Sequence, residues 1–87
     1  MDKLRILKLL SDDSRFSIFM KLLEYDELCV GEIEELLGIK QSNTSKHLKL
    51  LKDYNIVTFK RERNMIKYRI DEDFLNDNTD LIRYLLI

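Results

Sequence analysis

Cysteine and histidine, the residues most used for disulfides and soft-metal sites, are almost missing from this chain, which has one of each among 87 residues. A single cysteine excludes an internal disulfide framework and fits a reducing compartment, so we expect a cytoplasmic protein. A soft metal needs about three or four sulfur or nitrogen ligands. We therefore predict no metal site and no other cofactor.

Long apolar runs are absent as well. No stretch approaches the roughly 20 apolar residues of a membrane-spanning helix. The chain starts Met-Asp-Lys-Leu-Arg and continues into a periodic pattern, unlike the unbroken apolar run of a signal peptide. No membrane partner is expected. A hydrophobic fraction of 45% over 87 residues instead predicts one folded domain, residues 1–87, without a linker or repeat.

The net charge of −1 hides an uneven distribution. Taken alone, a pI of about 5.8 argues against a nucleic-acid partner. However, nine basic and two acidic residues lie between Lys40 and Arg69, a net charge of +7, whereas the rest of the chain carries six bases and fourteen acids. A cationic block on an acidic body favours a polyanionic partner.

Apolar spacing predicts two helices in the first 25 residues. The first covers roughly 2–10, and the second covers about 13–24 with an N-cap from the run Ser11-Asp12-Asp13-Ser14. Four apolar residues of the second helix are spaced as a core stripe: Phe16, Phe19, Met20 and Leu23. Two further residues widen that stripe: Ile18 and Leu22.

A glycine turn separates the next two helices. Residues 27–30 are predicted to be extended, and Gly31 opens a third helix. Gly38 follows its last apolar pair, as a left-handed C′ residue would. After a turn of about three residues a fourth helix begins at Gln41. Helix, glycine turn and a helix with polar exposed residues are typical of a helix-turn-helix.

The fourth helix, residues 41–52, has two unlike faces. At 3.6 residues per turn, one face is apolar and carries Thr44, Leu48 and Leu51. The opposite face has hydroxyls and ammoniums but no carboxylate: Ser42, Ser45, Lys46, Lys49 and Lys52. Like charges one turn apart repel unless an anion lies across them, so phosphate is expected there, with short polar side chains at base edges. The alternative is a solvated helix that happens to be rich in lysine.

After Asn55 the period changes from 3.6 to 2, which predicts a hairpin around Glu62-Arg63-Asn64. The tip has no glycine, so Asn64 is expected at positive φ. Basic residues cluster at the loop: Lys60, Arg61, Arg63 and Lys67. A hairpin after a recognition helix is the wing of a winged helix-turn-helix, and the alternative is a hairpin that only aids solubility.

A last helix is predicted after Asp71, with a break and a second cap near Thr79. The fold class is therefore mainly α, a winged helix-turn-helix of about five helices and a two-stranded wing. Apolar stripes at both ends of the chain, around residues 4–10 and 81–86, are expected to pair in the two-fold interface of a homodimer. The alternative is that both stripes only cap the core of a monomer.

Five segments follow the order found in one family. They are residues 12–19, 27–33 with Glu-Leu-Cys-Val, 39–51 with Ser-Lys-His-Leu, and the wing edges 55–57 and 68–70. Together they resemble the ArsR/SmtB family of small prokaryotic transcriptional repressors. The resemblance implies a homodimer that binds an operator palindrome in double-stranded DNA and leaves it when an inducer binds.

The inducer, a small molecule or a metal, stays open because the sequence departs from that family's sensors. Metal-sensing members place a Cys-x-Cys pair in the Glu-Leu-Cys-Val segment, where Gly31 stands at the second position, and the last helix has no histidine. His47 is interpreted as structural, beside the core face of its helix. Cys29 is expected to be buried and inert, because its uncharged neighbours offer little to lower the pKa of a thiol.

The preferred interpretation is a sequence-specific DNA-binding repressor. Nine side chains are expected to contact DNA: Gln41, Ser42, Asn43, Ser45, Lys46, Lys49, Lys60, Arg61 and Arg63. Those on the fourth helix would face the major groove, with Gln41 at a base or a phosphate, and those on the wing would reach phosphates or a minor groove. The alternative is a winged-helix protein-interaction module that does not bind DNA. An enzyme is disfavoured because the only candidate dyad, Cys29 with His47, lacks orienting carboxylates and a glycine-rich loop.

Overall fold

The computed structural model describes residues 2–87 as six helices and a three-stranded antiparallel sheet. The helices are α1 (Lys3–Leu10), α2 (Asp13–Tyr25), α3 (Val30–Leu37), α4 (Gln41–Asp53), α5 (Glu72–Asp77) and α6 (Thr79–Leu85). The strands are β1 (Glu27–Cys29), β2 (Val57–Glu62) and β3 (Met65–Ile70). Within residues 2–87, no helix is long and apolar enough to cross a membrane.

Aspartate side chains start three of the helices. Asp2, Asp12 and Asp71 accept hydrogen bonds from backbone N–H groups in the first turns of α1, α2 and α5. The cap predicted in the run 11–14 is thus Asp12. Helix α3 begins one residue before the predicted Gly31, because the Glu32 carboxylate accepts the Cys29 N–H at 2.9 Å and fixes Cys29 as the N-cap.

The core lies where α2, α3 and α4 pack against the sheet. Ile18, Phe19 and Leu22 are the buried residues of α2. The rings of Phe19 and Phe74 pack edge to face, with their centres 5.9 Å apart. The centre of the α2 stripe therefore differs from the prediction, since Phe16 is exposed. The two residues that were expected only to widen the stripe, Ile18 and Leu22, instead form its centre.

The sheet has the strand order β1-β3-β2. Strands β2 and β3 form the predicted hairpin, with Val57 opposite Ile70 and Glu62 opposite Met65. The two-stranded wing is confirmed, and the sheet has a third strand that was not predicted, because β1 pairs with β3 and places Glu27 opposite Arg69. That pairing joins residues at least 38 positions apart, so no local sequence pattern predicts it.

Two turns test the predicted backbone conformations. Gly38 has φ 66° and ψ 30°, as predicted for a left-handed residue after α3. At the hairpin tip, Arg63 has the positive φ, 58°, and the prediction of Asn64 was wrong. A positive φ at only the first of two loop residues is the pattern of a type II′ turn, which suits the twist of the flanking strands. The position in the turn therefore decides which residue has the positive φ, and it outweighs the general tendency of asparagine to adopt that conformation.

Candidate nucleic-acid interface

Helix α4 presents the two faces that its sequence predicts. Thr44, Leu48 and Leu51 are fully buried, and the Thr44 hydroxyl donates to the Lys40 carbonyl at 3.0 Å. The opposite face is open to solvent, and all six α4 side chains predicted to contact DNA are exposed: Gln41, Ser42, Asn43, Ser45, Lys46 and Lys49. Burial of one apolar face thus fixes which polar residues point outward.

The first turn of α4 is open to an anion. It contains no acidic residue, and the N-cap residue, Lys40, makes no side-chain hydrogen bond to it. The first backbone N–H groups of a helix lack intrahelical partners, and the helix dipole adds positive potential there. Ser42 and Asn43 therefore lie at an end of the helix that attracts phosphate and carries short side chains suited to base edges.

The lysines of α4 are not equivalent. Lys49 is 78% exposed, but its Nζ lies 3.0 Å from Oδ2 of Asp53 one turn along, so this face has a carboxylate after all. The sequence interpretation missed that pair because it ended the helix at residue 52. Lys52 Nζ lies 5.8 Å from the centre of the Phe59 ring and turns toward the wing. Among residues 2–87, Lys46 has no carboxylate partner.

The wing carries its positive charge in two kinds of environment. Arg61 and Arg63 are exposed, and in residues 2–87 neither forms an ion pair. Lys60 is different, because its Nζ lies 3.6 Å from Oε2 of Glu27 and 3.6 Å from Oε2 of Glu62. The sheet therefore brings all three predicted wing residues to the surface, but it leaves only the arginines free of carboxylates.

Packing joins the wing, which is the hairpin of β2 and β3, to helix α4. Phe59 and Tyr68 face each other across β2 and β3, with ring centres 5.5 Å apart. Lys52 lies over the Phe59 ring, as described above. Aromatic contact and a cation over a ring each add roughly 0.5–1 kcal/mol at such sites. The base of the wing thus keeps a fixed place beside the end of α4.

His47 lies on α4 and its side chain faces the start of α2. Its Nδ1 lies 3.3 Å from Nη1 of Arg15, and its Nε2 lies 3.8 Å from Oδ2 of Asp12. The hydrogen bond from the Arg15 backbone N–H is the largest cause that holds the pKa of Asp12 below its ordinary value, and the positive charge of Arg15 adds to it. The structural role expected of His47 fits this position. Arg15 was missed, because nothing local links residues 32 apart.

Cys29 is half-buried at the N-cap of α3, so the prediction of a fully buried thiol was wrong. It faces Lys67 across the β1–β3 pair. The Cys29 backbone N–H bond is the main cause that lowers the pKa of Glu32. Over residues 2–87, no three His, Cys, Asp or Glu side chains are grouped so as to hold a metal ion.

The helix-turn-helix of α3 and α4, followed by a β-hairpin, defines a winged helix-turn-helix protein, and this confirms the predicted fold class. Residues 12–58 match the family model described as "Bacterial regulatory protein, arsR family". The chain belongs to the ArsR family, and this confirms the resemblance stated from the sequence.

Two curated relatives are similar over most of the chain. The arsenical resistance operon repressor of Staphylococcus xylosus is 39% identical over 80 aligned positions, and the match covers 88% of this chain and 76% of that protein. The cadmium resistance transcriptional regulatory protein CadC homologue of Staphylococcus aureus is 33% identical over 73 residues. Those residues are 84% of this chain but 60% of that relative, so the chain spans less than two thirds of its length.

Two solved structures share the fold. Reduced HlyU from Vibrio cholerae has a TM-score of 0.77 and 29% identity, covering 92% of this chain and 83% of that one. Mb0332 from Mycobacterium bovis, described as a homodimeric winged helix-turn-helix DNA-binding domain, has a TM-score of 0.78 and 26% identity. The match covers 94% of this chain and 75% of that one.

Proposed function

We propose that this protein is a sequence-specific transcriptional repressor that binds double-stranded DNA in the cytoplasm as a homodimer. The observation that carries the proposal is the exposed first turn of α4, which is polar, free of carboxylates and uncapped by a side chain. It lies beside a wing with two arginines that form no ion pair within residues 2–87. The names of the similar proteins, which include repressors and a DNA-binding domain, support the same function.

Each group of side chains has its own role in this proposal. Ser42, Asn43 and Ser45 contact base edges, while Lys46 and the α4 N-terminus bind phosphate. Gln41 contacts a base or a phosphate, and Lys49 contacts phosphate when it leaves Asp53. On the wing, Arg61 and Arg63 bind phosphates or enter a minor groove. Lys60 contributes less, because its present carboxylate partners compete with DNA.

The homodimer is supported by apolar surface at the two ends of the chain. Leu4 and Leu7 of α1 are 62% and 54% exposed, and Ile87 after α6 is 97% exposed. Leu4 and Leu7 lie one turn apart on α1, and neighbouring exposed apolar side chains are typical of surfaces that associate. A two-fold axis would place two α4 helices on half-sites separated by about one helical turn of DNA, roughly 34 Å.

The inducer differs, in our proposal, from the metals that the relatives' names mention. Cadmium and arsenic appear in those names, but Gly31 follows Val30 where a second thiol would extend the ligand set of Cys29. A single thiolate is a poor site for soft metals, which need about three or four ligands. We therefore propose a repressor whose release from DNA does not depend on these metals.

Selection from a pool of random duplex DNA tests the function directly. The selected duplex should contain a palindrome and bind at least about a thousandfold tighter than a scrambled duplex of the same length. Both affinities should fall steeply between two salt concentrations, because neutralised phosphates release counterions. Binding with no preference for any duplex, or no binding, would favour the protein-interaction module instead.

A further inference from the structure

Arg15 connects three parts of the structure through its side chain and its backbone. Its Nε donates to the Leu9 carbonyl in the last turn of α1 at 2.6 Å, and its Nη1 faces Nδ1 of His47 on α4 at 3.3 Å. Its backbone N–H also donates to Asp12, the N-cap of α2, at 3.0 Å. The end of α1, the start of α2 and the recognition helix therefore meet at this arginine.

The contact with Arg15 depends on the state of His47. A guanidinium has only donors, so a hydrogen bond between the two side chains requires Nδ1 of His47 as the acceptor. That bond needs a neutral ring with its hydrogen on Nε2, the atom that lies 3.8 Å from Oδ2 of Asp12. Protonation would place a second donor against the guanidinium and turn the Asp12 contact into an ion pair. The bond to Arg15 therefore exists only while His47 is neutral.

Charged groups on both sides of His47 act on that equilibrium. Asp12 and Arg15 approach it from the start of α2. On its own helix, Lys46, Lys49 and Asp53 line the same cavity of about 270 Å³, where Lys49 and Asp53 are paired. Arg15 and Lys46 oppose a positive charge on His47, whereas the Asp12 carboxylate favours it. Protonation would thus move the ring from one partner to the other.

The Arg15 contact adds a directional restraint to the position of α4. Thr44, Leu48 and Leu51 fix the helix in the core through packing. A hydrogen bond depends on angle as well as distance, so the Arg15 contact adds to that packing a restraint on the rotation of α4. His47, with a side chain 17% exposed, lies next to Lys46 and one turn after Asn43. A small rotation here moves the side chains proposed to read bases.

We propose that Arg15 and His47 are positioning residues that hold the recognition helix against the end of α1, and that protonation of His47 opens this contact and lowers sequence-specific DNA binding. This inference rests on the proposed DNA-binding function. A positive charge added beside α4 should at the same time leave non-specific affinity equal or greater, because phosphate attracts it. The ratio of specific to non-specific affinity is therefore the quantity that the contact controls.

The experiment measures that ratio at about pH 8 and about pH 6, the range in which histidine changes charge. The probes are the duplex selected from the random pool at the higher pH and a scrambled duplex of the same length. The ratio should fall roughly five- to tenfold at the lower pH, as expected for the loss of one hydrogen bond of ordinary net strength. His47 is the chain's only histidine, so its ring resonances can be followed by NMR without ambiguity. The fall should coincide with their titration.

Three variants separate positioning from stability. His47→Gln keeps an acceptor that cannot be protonated, so its ratio should stay within about twofold between the two pH values. Arg15→Met keeps the apolar stem without the guanidinium, and its ratio should be low at both. Lys21→Met, the control, removes a cation of α2 that pairs with Glu24 and should follow the parent. Thermal unfolding at both pH values shows that each variant is folded.

Two results would overturn the positioning role. One is a parent ratio that does not change with pH or changes away from the His47 titration. The other is a His47→Gln variant whose ratio falls as much as that of the parent. If the parent selects no duplex at the higher pH, the proposed DNA binding itself fails, and the inference fails with it.

Discussion

The Glu27 carboxylate bridges two lysines of the wing, with Oε2 lying 3.6 Å from Nζ of Lys60 and Oε1 lying 3.6 Å from Nζ of Lys67. Lys60 and Lys67 are directly opposite each other on β2 and β3, so their ammoniums would repel without it. Strand β1 therefore supplies a negative charge that holds the two lysines on the outer face of the sheet. The same carboxylate competes with phosphate for them.

Glu27→Gln should consequently strengthen DNA binding. The change frees Lys67 and removes one of the two carboxylate partners of Lys60, which keeps Glu62. Affinity for every duplex should therefore rise, and the slope of log affinity against log salt should steepen by about one for each added phosphate contact. Titrations at several salt concentrations measure both. Glu24→Gln is the matched control, because it removes the same charge from α2, where Glu24 pairs with Lys21. Equal slopes for the two variants would show that Glu27 does not restrain the wing.

The sequence alone predicts much of this fold, because helices depend on neighbours along the chain. The spacing of Thr44, Leu48 and Leu51 identified the buried face of α4, and Gly38 was placed in its left-handed turn. The face of α2 was less clear. Apolar residues surround much of that helix, so its period does not show that Phe16 is exposed while Ile18 is buried.

The rest depends on contacts between distant segments. The pairing of β1 with β3, the bridge from Glu27 to Lys60 and the contact of Arg15 with His47 each join residues at least 32 apart. No periodic pattern encodes such contacts. Sequence reasoning therefore identified which residues are exposed on the candidate interface, and it missed which of them are already paired with carboxylates.

A substitution at the tip of the wing should separate stability from DNA binding. Arg63 has φ 58°, a conformation that costs a non-glycine residue roughly 1–2 kcal/mol. Allowing for the greater unfolded-state entropy of glycine, Arg63→Gly should raise the free energy of unfolding by about 0.5–1 kcal/mol. It should also weaken DNA binding by removing a phosphate contact. Urea unfolding and duplex titration measure the two effects.

Asp26 provides the control for that substitution. It also has a positive φ, 70°, but lies between α2 and β1. Asp26→Gly should give a similar gain in stability without weakening binding. If both variants weaken binding alike, the loss does not come from the Arg63 side chain.

Acid should remove the contribution of the Asp12 charge to stability. The pKa of Asp12 is lowered in the folded protein, first by the Arg15 N–H bond, so its carboxylate stabilises the fold above its unfolded pKa of about 3.9. That contribution is lost as the pH falls through the folded value. Asp12→Asn keeps a good N-cap without the charge. It should therefore be less stable than the parent at neutral pH, and the difference should shrink as acid protonates the Asp12 carboxylate. A constant difference in urea unfolding would contradict this.

The apolar surface of α1 should be required for association. Leu7 is 54% exposed, so Leu7→Glu should cost little stability in a monomer, whereas it would place a charge in the proposed interface. Sedimentation at micromolar concentration should show a dimer for the parent and a monomer for the variant. Lys8→Glu is the control, because Lys8 is exposed on the same turn and should leave the dimer intact. A parent that sediments as a monomer would refute the two-fold interface.

Cys29→Ser should change neither operator binding nor the response to metals. The thiol is half-buried at the α3 N-cap, where serine is a better capping residue, so stability should be equal or slightly higher. A lone thiolate cannot compete with sites of three or four ligands. Operator affinity of both proteins should thus be the same with and without zinc, cadmium or arsenite under reducing conditions. If these metals release the parent from the operator but do not release the variant, Cys29 must bind metal together with further ligands. A partner subunit would then be the source of those ligands.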